Sequence, residues 1–185
     1  MTAREHTTPL PASKAALLAR PGHTGIDPRG PRFGAGITSV LLLVTIGLSL
    51  GTAATAPPNV AGRATQPGFI LLAIITVLFA WGAFAGVQKH PYGRLFAAVV
   101  RPRLAAPTHL EDPTPPTFSQ GVGFIVSIAG VALHLAGVPF GLVIPAALAF
   151  VAAFLNSVFD YCFGCQIYLL LVRARILARA PTSVS

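Results

Sequence analysis

Long apolar blocks alternate along this chain with short polar connectors. Four blocks are long enough to cross a bilayer, running roughly from Phe33 to Thr55, Gly68 to Val87, Phe118 to Val138, and Phe140 to Phe159 or beyond. Crossing the hydrocarbon core takes about 20 residues of helix. The first block, as a helix, is about 34 Å long, which allows a tilted span. Buried helices of water-soluble domains rarely recur at this length and purity. The pattern predicts an all-α membrane protein, a four-transmembrane-helix bundle. Met1 to Arg20 has no apolar core of signal-peptide type, because Ala15 to Ala19 is short and Pro9 and Pro11 interrupt what precedes it.

The blocks also repeat. Asp27-Pro28-x-x-Pro31-x-Phe33-x-x-Gly36 precedes the first, and Asp112-Pro113-x-x-Pro116-x-Phe118-x-x-Gly121 precedes the third, at a constant offset of 85 (112 − 27). Gly86-Val-Gln88 and Gly164-Cys-Gln166 match less closely at an offset of 78 (164 − 86), as a longer first hairpin loop requires. The chain therefore reads as two tandem helical-hairpin repeats of the same orientation, related by a pseudo-twofold axis along the membrane normal. Its expected divisions are a flexible tail over 1–26, a first hairpin with a basic connector over 27–111, a second hairpin over 112–176, and a second flexible tail over 177–185. Asp-Pro starts helices, since the carboxylate accepts backbone N–H bonds and proline suits the first turn. Asp27 and Asp112 are thus expected as caps rather than catalytic groups.

Composition agrees, with 54% hydrophobic and 10% charged residues. The formal net charge of +8 raises nucleic acid as a partner, but the placement of the charges argues otherwise. Of thirteen Lys and Arg residues, all but Arg63 fall before the first span, between the second and third, or after the last. That is the positive-inside pattern, with both termini cytosolic. The charge then marks topology and an attraction to anionic lipid, and no nucleic acid is expected.

Small residues at Gly47-x-x-x-Gly51, Gly82-x-x-x-Gly86 and Ala149-x-x-x-Ala153 predict close helix packing. His134 is expected to be interfacial or to bridge helices near the outer end of the third span. Asn156 and Asp160 share a helix face, and Asp160 either bonds Asn156 or a neighbouring helix, or handles protons beside the thiols.

The chemistry-bearing motif is Phe159-Asp-Tyr-Cys-Phe-Gly-Cys-Gln166, which holds the only two cysteines, Cys162 and Cys165. The C-x-x-C spacing lets two sulfurs face each other or one metal ion. The repeat places Phe84 and Val87 where the second half has these cysteines, so the pair is a feature of one half. A structural disulfide is disfavoured on the reducing side of the membrane. Zinc would need two more ligands, for which only His90 and His109 of the connector offer themselves, so no cofactor is expected. Thiol–disulfide exchange or persulfide carriage asks for nothing more, one cysteine attacking and the other resolving. Buried inert cysteines remain an alternative. A quinone at the bundle edge is chemically conceivable, but no motif points to one. The depth of the pair depends on the last helix. It either runs unbroken from Pro145 to Val172, about 42 Å, or ends near Asp160 and leaves Ile167 to Val172 along the membrane surface.

Asp-Pro-Arg-Gly-Pro-Arg-Phe-Gly-Ala-Gly (27–36), the connector ending Arg101-Pro-Arg103, and Phe-Gly-Cys-Gln-Ile-Tyr (163–168) resemble an uncharacterised bacterial family of integral membrane proteins, domain of unknown function 4395. The resemblance covers about Asp27 to Ile176. It implies a four-span protein with a cysteine motif ending the last span, in the bacterial inner membrane. It also implies a neighbourhood of thioredoxin-like or sulfurtransferase proteins. The expected function is thiol–disulfide or sulfur handling through Cys162, Cys165 and Asp160, in the lipid bilayer, with a cytosolic thioredoxin-like or rhodanese-like partner. Self-association is left open. The alternatives are a small transporter of a sulfur-containing anion and a structural accessory subunit.

Overall fold

The computed structural model describes residues 12–19, 24–55 and 57–177. The expected tails lie largely outside the described residues. Those residues are helical apart from connectors and two isolated backbone bridges. In chain order the α-helices are α1 (Ala12–Ala15), α2 (Arg29–Leu50), α3 (Val60–Ala64), α4 (Pro67–Ala85), α5 (Pro91–Leu95), α6 (Thr114–Leu135), α7 (Val143–Phe159) and α8 (Phe163–Arg173). Helices α2, α4 and α6 are each long and apolar enough to cross a membrane, and the bent pair α7–α8 makes a fourth candidate.

Two similar polar turns start the helices that carry the matched motifs. Asp27 Oδ1 accepts the Arg29 N–H at 3.0 Å, and Asp112 Oδ1 accepts the Thr114 N–H at 2.8 Å. Each carboxylate satisfies one of the orphan donors of a first helical turn. Arg29 also donates from Nε and Nη2 to Asp27 at 2.9 and 2.7 Å, which holds the Asp27 carboxyl below its ordinary value despite burial.

Four helices close a ring in which α2 lies along α7 and α4 along α6, while α2–α4 and α6–α7 complete the circuit. Leu42, Leu72, Ile75, Leu142, Ala146 and Ala149 form its core. Buried hydroxyls line the same interior, and each is satisfied within its own helix. Thr45 donates to Leu41 O at 2.9 Å, Ser49 to Thr45 O at 2.7 Å, and Thr76 to Leu72 O at 2.8 Å. The outer faces carry large apolar side chains, among them Val40, Leu43, Ile74, Val77, Ile125 and Val151. A face of this kind suits lipid and not water.

The small-residue spacing predicted the close approaches only in part, with Ala149 of α7 in the buried core. A Cβ at Gly47 or Gly51 would meet nothing within 4 Å, so both glycines face outward. Gly82 does lie against Gln120 of α6, but Gly86 ends α4 with φ +84°. The tightest contacts are at Gly68, set against Ser49 and the Thr45 carbonyl, and Gly164, set against the Ser119 backbone.

At the end of the bundle that holds α3, Arg63 is spent on carbonyls. It donates to Pro57 O and Leu135 O at 2.7 Å and to Pro58 O at 3.1 Å. Leu135 is the last residue of α6, so the charge sits at the negative end of that helix. His134 bridges the same corner, with Nε2 3.3 Å from Arg63 O and its ring stacked on Phe69 at 5.5 Å.

Candidate functional site

The site is formed where the last apolar run breaks. Helix α7 ends at Phe159, Asp160 takes the left-handed conformation (φ 56°, ψ 33°), and α8 leaves at 94°. Aspartate is among the few residues that tolerate this region, because its short side chain bonds locally. Of the two lengths considered for the last helix, the structure has the shorter one.

Cys162 is the N-cap of α8, and its Sγ accepts the Cys165 N–H at 3.3 Å. The two sulfurs are joined as a disulfide with Cα atoms 5.2 Å apart. Cys165 is 3% exposed and packs with Leu17, Tyr168 and Leu169, whereas Cys162 is only half-buried. The Ser119 hydroxyl of α6 lies 3.5 Å from Cys162 Sγ. Gly164 lets α8 settle on α6 at that point, since any Cβ there would stand 2.7 Å from Ser119 Cα.

Asp160 reaches across the bundle instead of to Asn156. Its carboxylate pairs with Lys14, the next-to-last residue of α1, and with Arg32 Nε of α2 at 3.6 Å. Arg32 Nη2 also donates to Ser157 O at 3.4 Å, near the carbonyl end of α7. The N-terminal segment is held there by backbone bonds. Asp112 N donates to Leu17 O, Ala19 N to Leu110 O, and Ile26 N to Glu111 O, at 2.8 to 2.9 Å. Residues 12–19, expected as part of a flexible tail, therefore lie under α8, with Leu17 buried beside Cys165. Glu111 stands beside this ion pair. Burial pushes its carboxyl above the ordinary value and the Asp160 charge adds to the rise, against the pull of Lys14 and Arg32.

These groups surround a cavity of about 510 Å³ between α2, α6, α7 and α8. Lys14, Arg32, Glu111, Asp160, Cys162 and Cys165 line one end of it. Phe79, Val126, Leu148, Ala149 and Ala152 line the interior, with Ser119, Gln120 and Asn156 as polar points. The sequence signalled the cysteines and Asp160. It did not signal Lys14, Arg32, Glu111, Ser119 or Gln120, which come from remote segments and carry no motif.

Zinc finds no set of ligands here. Among the described residues no three His, Cys, Asp or Glu side chains converge on a metal position. His90 has both ring nitrogens engaged. Nδ1 accepts the Tyr92 N–H at 3.2 Å and Nε2 lies 3.1 Å from Leu78 O. His109 lies 3.1 Å from the Thr108 hydroxyl through Nδ1.

No curated protein and no solved structure matches the chain. A family model described as Domain of unknown function (DUF4395) matches residues 26–173, from the turn before α2 to the last residue of α8. The match takes in both aspartate turns, the ring of spans and the cysteine corner, and the chain belongs to that family.

Proposed function

We propose that this is a bacterial inner-membrane protein of two tandem hairpins, with both termini cytosolic, that exchanges thiols and disulfides through Cys162 and Cys165. The observation that carries the reading is a C-x-x-C disulfide lining a cavity at the start of a helix. As a fastener the bond does little, because closing so short a loop removes little entropy from the unfolded chain. As a redox pair it is well placed. Once it opens, the Cys165 N–H and the positive end of α8 are placed to stabilise negative charge on Cys162 Sγ.

The exchange begins when a partner thiolate attacks Cys162 Sγ, the more exposed sulfur. The S–S bond breaks and Cys165 takes the electron pair. The partner's second thiol then attacks the mixed disulfide and leaves as a disulfide, while the chain becomes a dithiol. Two electrons and two protons pass from partner to chain. A cytosolic thioredoxin-like or rhodanese-like protein fits as partner, with persulfide relay as the sulfur-carrying variant. The ring supports the tandem reading, because exchanging α2 with α6 and α4 with α7 leaves its neighbour relations unchanged. Transport of a sulfur-containing anion draws on the same cavity, but both cations at its mouth are committed to Asp160.

The test is trapping in cells. Cys165→Ser should hold a partner on Cys162 as a mixed disulfide that a reducing gel releases, and Cys162→Ser should trap far less. An impermeant thiol reagent should label reduced Cys162 in inverted vesicles and not in right-side-out ones. No trapped partner, together with unchanged growth on every sulfur source, would remove both the exchange and the transport readings.

A further inference from the structure

The disulfide closes within a single C-x-x-C, so a chain that accepts two electrons from a partner needs somewhere to send them. The described residues hold no second cysteine pair and no metal cluster. The cavity beside the sulfurs is too large for a small sulfur anion and falls in the size range of organic-ligand sites, roughly 300–1,000 Å³. It is also long. Its wall on α7 runs from Leu148 to Phe159, about 17 Å at 1.5 Å per residue. Leu148, midway along α7, both lines the cavity and is 62% exposed on the outer surface, so the cavity reaches the apolar exterior of the bundle there.

Its chemistry is graded. Ser119 stands 3.5 Å from Cys162 Sγ, and Gln120 and Asn156 also line the cavity, a hydroxyl and two amides able to donate to carbonyl oxygens. Beyond them the walls are apolar. A nicotinamide or flavin nucleotide would bring phosphates, and the cations at the mouth, Lys14 and Arg32, already hold Asp160.

We infer that the cavity is a quinone site in which a membrane quinone re-oxidises the Cys162–Cys165 dithiol. The ring carbonyls meet the polar end beside the cysteines, and the isoprenoid tail leaves along α7 into lipid. The step balances. Two thiols lose two electrons and two protons as the S–S bond forms, and the quinone takes up both as quinol. The inference rests on the thiol-exchange reading and names the acceptor that reading requires.

Full-length protein in phospholipid nanodiscs, reduced and freed of reductant, is mixed with decylubiquinone or, separately, with oxidised glutathione. The expected result is loss of two thiols and formation of one quinol per chain. Ala152→Leu and Ala153→Leu, which narrow the cavity, should slow quinone oxidation at least tenfold and leave glutathione oxidation unchanged. In the chain carrying Cys162→Ser and Cys165→Ser, an azidoquinone should label cavity residues of α6 and α7, which needs no redox step. Closure by glutathione but not by quinone overturns the inference and leaves thiol exchange standing. Closure by neither overturns both. Quinone oxidation that the cavity-narrowing variants do not slow, or photolabelling confined to lipid-facing residues, also overturns the inference.

Discussion

Cys162 caps the helix that carries Cys165: its sulfur accepts the Cys165 backbone N–H at 3.3 Å while Cys165 itself is buried against Leu17. One sulfur therefore meets solvent and the other meets the core, so their reactivities should differ. In the reduced protein a soluble maleimide should modify Cys162 roughly tenfold faster than Cys165, read by mass spectrometry of the labelled peptides. Cys162→Ser should keep the cap, whereas Cys162→Ala should cost about 1 kcal/mol under reducing conditions.

The Glu111 carboxyl is raised by burial and by the Asp160 charge. A folded-state value above the unfolded one means that ionising Glu111 opposes folding. The penalty is absent below the unfolded value, near pH 4, and is complete once pH exceeds the folded one. Glu111→Gln should therefore raise the thermal midpoint in detergent at pH 8, with the gain fading by about pH 4. An equal gain at both pH values would show that charge is not the cause.

Asp27 carries the opposite sign. Its carboxyl is lowered, chiefly by the Arg29 side chain, so its contribution is present above about pH 4 and is lost as pH falls through the lower folded value. Asp27→Ala and Asp112→Ala should each cost about 1 kcal/mol near neutral pH through the missing helix-start bond. Only the first also loses an arginine partner, so acid should narrow the difference between them. Thermal melts across pH 3 to 7 check this.

Two glycine substitutions should behave in opposite ways. Gly164→Ala would push a Cβ to 2.7 Å from Ser119 Cα, so α8 must lift from α6. A loss of about 1–3 kcal/mol is expected, as for other overpacked contacts. Gly47→Ala meets open space and should be neutral or gain up to about 1 kcal/mol of helix propensity.

Tyr168 offers a cleaner case. Its hydroxyl is buried and has no hydrogen-bond partner among the described residues. Tyr168→Phe should be neutral or stabilising by about 1 kcal/mol, since it removes an unpaired polar atom and keeps the ring against Phe118.

Helices α2, α4 and α6 were legible because their apolar blocks are bounded by Asp-Pro and Gln-Pro starts. The end of α7 was not, since the apolar run continues from Phe140 to Val172 with no proline at the break. Only Asp160 marks the corner, and a lone aspartate signals a polar group as readily as a left-handed residue. Spacing also misled at Gly47, where the motif says that two glycines share a face but not which way the face points. Gly68, which does seat a neighbour, has no such partner in sequence. Lys14 and Arg32 read as topology charges because their common partner lies more than a hundred positions away.

That separation bears on how the protein is made. Lys14 is synthesised 146 positions before Asp160, and Leu17 leaves the ribosome long before Cys165. The mouth of the cavity thus joins one of the earliest described segments to one of the latest. Until α7 and α8 have entered the membrane, Lys14 has no Asp160 to meet and remains available to anionic lipid headgroups. The cysteines reach their place only as the segment holding Lys14 and Leu17 meets α8, so premature oxidation would have to occur in a half-built corner that lacks its floor.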